Sequence, residues 1–228
     1  MMFPSFRASL EAHRFKVLLW SLLLVLILGS FSGHDEEFGQ GAVAIGFSLP
    51  VLAVLASLGS RTRVGRYVAA VLAFAAFSTS GIVATGMLSA LQSGALVVNV
   101  AFLLLTTFFV FVGVFRSPRV TGDVLAGAVA GYMLLAFTWG ASYALVEATQ
   151  RQSFAATSSA ISQTLQYNDL VYFAFIAMLS IGFGDIVPVT EIARALVICT
   201  GITGVAFNTI VLALLVSKYL AHSEQPPR

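Results

Sequence analysis

Ser180-Ile181-Gly182-Phe183-Gly184-Asp185 stands between two long apolar segments, behind a short aromatic run from Leu170 to Leu179. Two glycines one residue apart let a backbone alternate between positive and negative φ at little steric cost. Ordinary L-residues resist that alternation, which points successive carbonyl oxygens to one side. A row of carbonyls facing a common axis replaces the hydration shell of a monovalent cation. Ser180 adds a hydroxyl, both donor and acceptor, at the inner end of the row. Alone, Gly-x-Gly-Asp is equally a turn between two helices, so the surrounding chain has to decide.

Of 228 residues, 58% are hydrophobic and only 10% charged, more apolar surface than a soluble domain of this length can hide. Polar residues cluster in short breaks between apolar runs of about 20 residues, the length that crosses a bilayer as helix. The expected fold is therefore an all-α integral membrane protein. A formal net charge of +2 gives no reason to expect a nucleic-acid partner. Cys199 is the single cysteine, which excludes an intrachain disulfide and a thiolate metal site. His13, His34 and His222 are scattered, with no shared metal site in view. No nucleophile–base pair appears at useful spacing, and an enzyme is not expected.

Hydropathy predicts six spans, roughly 16–31, 40–59, 67–89, 95–115, 122–147 and 191–218. Arg7, Arg14 and Lys16, then Arg61, Arg63 and Arg66, then Arg116 and Arg119, and finally Lys218 and Arg228 fall on one side. Asp35, Glu36, Glu37, Glu147, Asp169, Asp185 and Glu191 fall on the other. By the positive-inside rule both termini are expected in the cytoplasm and Gly182-Phe183-Gly184 near the outer face, in the plasma membrane. The first span also resembles a cleaved signal, but its long basic leader and Trp20 favour a retained anchor. Gln92 to Phe115 carries no Arg or Lys, so the fourth span cannot do the work of a voltage sensor. Asn99, its strongly polar side chain, is expected to bond between helices.

Residues 1–118 read as a four-helix membrane region without gating charges, 119–220 as a pore domain, and 221–228 as a short cytoplasmic tail. Thr121-Gly122-Asp123 opens the fifth span with helix-start chemistry, and Gly127 and Gly131 make a small-xxx-small face for close helix contact. The polar break 148–167 is too hydrophilic to cross lipid. Asn168 or Asp169 is then expected to cap a helix from Leu170 to Leu179, too short to span. Re-entrant backbone of this kind survives only where protein buries it or it lines water. Entering from outside, its partially negative C-terminus faces the membrane centre and favours a cation.

Over Tyr172-Phe173 through Pro188, and more loosely from about Val120 to Leu220, the chain resembles the tetrameric potassium-channel pore. The family pattern is Tyr-Phe, then Thr-x-Thr-Thr-Val-Gly-Tyr-Gly-Asp, then Pro; here Ala177-Met178-Leu179-Ser180-Ile181-Gly182-Phe183-Gly184-Asp185 stands in its place. The resemblance implies potassium sites lined by the carbonyls of Ser180, Ile181, Gly182 and Phe183, with the Ser180 hydroxyl. Gly184 would form the outer end and Asp185 would sit at or behind the mouth. It also makes Gly204 the hinge of the inner helix. Ala177 and Leu179 remove hydroxyls behind the filter, and Phe183 lacks a phenol. Tyr172 and Phe173 offer a cuff without an indole N–H. The filter is thus expected to be held by apolar packing more than by hydrogen bonds, and to act as a gate. Ser180→Thr is expected to raise open probability or selectivity.

One loop supplies one carbonyl per level, and no second Gly-x-Gly-Asp occurs in the chain. A homotetramer is the natural completion. Gly204, Asn208 and Leu212 share a face of the last span, and Asn208 is expected to face the water-filled cavity. Glu147, Asp169, Asp185 and Glu191 are expected to make the outer vestibule negative. The expected function is a passive potassium-selective channel subunit without cofactor, binding K+ at the filter carbonyls only. Its partners are membrane lipids, copies of itself and, in some settings, a regulatory subunit. The alternatives are a weakly selective cation channel and a non-conducting membrane regulator that keeps the pore shape.

Overall fold

The computed structural model describes residues 13–31, 89–117, 120–157 and 165–223. In chain order these form α1 (Arg14–Phe31), α2 (Ser89–Phe115), α3 (Gly122–Thr149), β1 (Phe154–Ala156), α4 (Tyr167–Met178), β2 (Ile186–Pro188) and α5 (Glu191–Ser223). Among the described residues, three segments are long and apolar enough to cross a membrane: Ser93–Phe115, Gly122–Thr149 and Glu191–Val211. The spans expected over 40–59 and 67–89 lie outside the described residues, apart from Ser89, where α2 begins. The first expected span is α1, about 27 Å long at 1.5 Å per residue. The last helix runs on to Ser223, past the expected end at 218.

α3 is the central element, packed against α1, α2, α4 and α5. Its start follows from local chemistry: Thr121 caps it, the hydroxyl accepting from Val124 N at 3.3 Å, with Asp123 in the first turn. The Asp123 carboxylate also accepts from the backbone N–H of Lys16 at 3.1 Å, which ties the start of α1 to the start of α3.

Lipid is as apolar as a leucine side chain, so helix association here depends on close packing rather than on escape from water. Glycines along α3 supply the room. A Cβ at Gly127 would lie 2.8 Å from the Phe15 ring of α1, and one at Gly131 2.5 Å from the Phe111 ring of α2. A Cβ at Gly140 would lie 2.8 Å from Val171 Cα of α4. The small-xxx-small face is thus used, but Gly127 and Gly131 receive aromatic rings rather than a neighbouring backbone. On α1, Phe15, Leu18, Leu22 and Val25 recur at helical spacing and are buried, while Trp20 points away from the bundle.

Two threonine hydroxyls inside the bundle are satisfied locally, whereas the buried Tyr167 hydroxyl has no hydrogen-bond partner among the described residues. Thr107 and Thr138 each donate to the carbonyl four residues back at 2.7 Å. Asn99 departs from expectation: its Oδ1 is buried and has no hydrogen-bond partner among the described residues.

Two features correct the expected all-α outline around the break after α3. Helix α4 starts a turn earlier than expected, at Tyr167, so neither Asn168 nor Asp169 is the cap. Instead Asp169 reaches back from the third helical position to accept from Gln166 N at 2.8 Å. In addition, β1 and β2 pair antiparallel, with Phe154 opposite Pro188, Ala155 opposite Val187 and Ala156 opposite Ile186. Pro188 has no N–H to give, and Val189 N donates to the Ser153 carbonyl at 2.8 Å.

Candidate functional site

At about 18 Å, α4 is too short to cross the roughly 30 Å apolar layer. Its C-terminus is fixed from two sides. The Tyr132 hydroxyl of α3 donates to the Met178 carbonyl at 3.0 Å. Gly204 of α5 is buried against the same residue: a Cβ there would lie 2.5 Å from Met178 O and 3.0 Å from its Cα. Asn208, one turn further, is exposed in the single subunit. Gly204, expected as the hinge, is thus a close-contact point on α4.

The helix ends in two bonds, Ser180 N to Ala177 O at 3.2 Å and Ile181 N to Ile176 O at 3.0 Å. These are the bonds of a Schellman end, in which glycine normally takes the left-handed position. Here Ser180 takes it, at φ 58°. Gly182 follows at φ 59° and Gly184 at φ 76°. Every second residue from 180 to 184 is left-handed, one more than the two glycines led us to expect. No atom lies within 4 Å of a Cβ built on either glycine, so backbone conformation rather than space calls for glycine there. A β-branched residue at positive φ is a severe outlier. The expected gain from Ser180→Thr is thus opposed by a steric cost at this position.

Leu179 through Gly184 are all exposed in the single subunit, Phe183 at 70%. Hydrogen bonds within the subunit hold the outer end of this loop, at Asp185. The Tyr172 hydroxyl donates to Asp185 Oδ2 at 2.6 Å, and Ile186 N donates to Oδ1 at 3.1 Å. That bond to Asp185, helped by burial and by the carboxylate charge, pushes the Tyr172 phenol up to about 12. From the other side, Thr157 N donates to the Asp185 carbonyl at 2.8 Å.

Phe173 packs inside the subunit. It is buried in a trio with Tyr143 and Phe154, ring centroids 5.1 to 5.9 Å apart. Tyr143 in turn donates to Thr200 Oγ1 at 2.5 Å, and Trp139 Nε1 to Thr203 Oγ1 at 3.0 Å, which anchors α3 on α5.

Three of the four acidic residues expected around the mouth, Glu147, Asp169 and Asp185, accept from backbone N–H groups. Glu147 accepts from Gln152 N, Ser153 N and Phe154 N at 2.8, 2.9 and 3.1 Å, fixing the turn into β1. Asp169 closes the start of α4, and Asp185 holds Tyr172. Glu191, in the first turn of α5, is exposed. Sequence reasoning missed Glu147 as a turn clamp and Thr157 altogether. The signal for β2 was present in Ile186-Val187-Pro188-Val189, rich in β-branched residues.

Residues 124–221 match the family model described as "Ion channel". That match starts in the first turn of α3 and ends within α5, so the ion-channel segment holds α3, α4, the 179–185 loop and α5. It covers less than half of the chain. The matched family is one of channels, not of enzymes, and its apolar helices make the segment membrane-integral. No curated protein and no solved structure matches the chain significantly.

Proposed function

We propose that the chain is the subunit of a passive potassium-selective channel, a homotetramer with Ser180 to Phe183 of each copy lining one axial filter. The observation that carries this reading is the left-handed backbone at 180, 182 and 184, in an exposed loop that follows a helix too short to span. An ordinary turn needs no such repeat, whereas a row of inward carbonyls does. The negative end of α4 points to the start of that row, where a dehydrated cation is favoured. Four copies supply the oxygens that one cannot, and they would cover Ile181 and Phe183, which the single subunit leaves open.

With no cationic residue along α2, gating by a charged sensor in that helix is not part of the account. Both termini are read as cytoplasmic and the filter mouth as external, in the plasma membrane. Potassium efflux from liposomes carrying the purified full-length chain tests the reading, with Gly182→Ala as control. Efflux that the substitution abolishes is expected. No efflux, with the chain inserted and assembled, would favour a non-conducting regulator.

A further inference from the structure

Thr157 stands at the filter exit, in contact with the residue expected to end the ion row. Its hydroxyl donates to the Gly184 carbonyl at 2.5 Å and lies 3.2 Å from the Asp185 carbonyl. Its backbone N–H holds that second carbonyl at 2.8 Å. The placement is built rather than incidental. Thr157 directly follows β1, whose last residue, Ala156, pairs with Ile186 just beyond the filter. The other end of β1 is fixed by the Glu147 carboxylate through Gln152, Ser153 and Phe154. The Thr190 hydroxyl donates to Ser153 Oγ at 3.2 Å, joining that turn to the start of α5.

We propose that Thr157 is the positioning residue that ends the ion row, by withholding the Gly184 carbonyl from the permeant cation. The proposal rests on the reading of residues 180–184 as a filter, and it departs from the expectation that Gly184 forms the outer end. A carbonyl oxygen that accepts a hydroxyl proton directs a lone pair to that donor, and the donated proton sets positive charge beside the oxygen. Both effects weaken it as a cation ligand. Gly184, with no Cβ and open space around it, has no side chain of its own to fix its peptide, so Thr157 does. The bound cation then meets its last carbonyls at Phe183, and the outermost position is left to water.

Single-channel recording of the full-length chain over a range of external K+ tests this with Thr157→Val, which keeps the shape and removes the hydroxyl. Freeing the Gly184 carbonyl should lower the half-saturating external K+ concentration by roughly threefold or more, the scale of one neutral hydrogen bond. Thr157→Ser, which restores the donor, should return it to the wild-type value. A valine variant with unchanged or raised half-saturation overturns the proposal while the filter reading stands, provided that wild type conducts and Gly182→Ala does not. A wild type that does not conduct removes the filter reading and this proposal with it. Should the valine variant fail to assemble, Thr157→Ala, which also removes the hydroxyl, takes its place with the same two outcomes.

Discussion

Gly204 of α5 lies against the Met178 backbone, where α4 ends and the 179–185 loop begins. A methyl group there would come within 2.5 Å of a carbonyl oxygen that already accepts from Tyr132. Neither backbone can yield without moving the start of the 179–185 loop.

Gly204→Ala is therefore expected to destabilise the assembly by about 1–3 kcal/mol, the usual range for overpacking. Gly201, three residues earlier on the same helix, has nothing within 4 Å of a built Cβ. Gly201→Ala should leave stability unchanged or raise it by roughly 0.5–1 kcal/mol through helix propensity. Thermal unfolding of both variants in detergent checks the contrast. Altered gating with unaltered melting in Gly204→Ala would return the residue to the role of a hinge.

Tyr172→Phe removes the donor to Asp185 and leaves that carboxylate with Ile186 N alone. A bond to a charged group contributes about 1.5–3 kcal/mol when well formed, and less at an exposed site such as this. We expect a lower K+ over Na+ permeability ratio in the variant, read from reversal potentials. The phenol holds its proton more tightly folded than unfolded, up to about 12 against 10.0. The stabilisation from this group is therefore whole below pH 10 and lost as pH rises through 12. Alkaline titration of phenolate absorbance in wild type and Tyr172→Phe should differ by one group titrating near 12; a difference near 10 would contradict the bond.

Ser180 occupies a left-handed position at φ 58°, which costs an L-residue roughly 1–2 kcal/mol. Ser180→Gly should recover part of that and raise thermal stability, while Ser180→Thr should lower it. Melting temperatures of the two variants give the sign directly. A threonine variant as stable as wild type would mean that the residue is not left-handed in the assembled protein.

Glu147→Gln keeps the shape of the side chain but removes the charge that three backbone N–H groups share. Each such bond weakens by about half when the acceptor becomes neutral. Amide exchange across 152–157 is expected to accelerate at least severalfold. Unchanged protection would show that the clamp is dispensable.

What the sequence made legible was the part governed by local rules. The apolar runs gave α1, α2, α3 and α5 to within a few residues at most ends, and Gly-x-Gly gave the alternating backbone. The start of α3 at Thr121-Gly122-Asp123 was legible for the same reason, since capping acts within one turn. What escaped depended on contacts between distant positions. Glu147 and Asp185 read as vestibule charges because nothing local shows which N–H or hydroxyl a carboxylate will meet. Thr157 read as one polar residue in a polar break, because its role exists only once β1 pairs with β2. Ser180 read as a hydroxyl oxygen at the end of the row, and its left-handed backbone followed from α4 ending at Met178, with Leu179 as the cap between them.

The central claim is that peptide oxygens of residues 180–183 from several copies replace the water around potassium. Bi-ionic recording tests it most directly, with purified full-length protein in a planar bilayer, K+ on one side and Na+ on the other. The account predicts a reversal potential close to the potassium limit, collapsing or losing all current in Gly182→Ala. A reversal potential near zero, unmoved by that substitution, would contradict it.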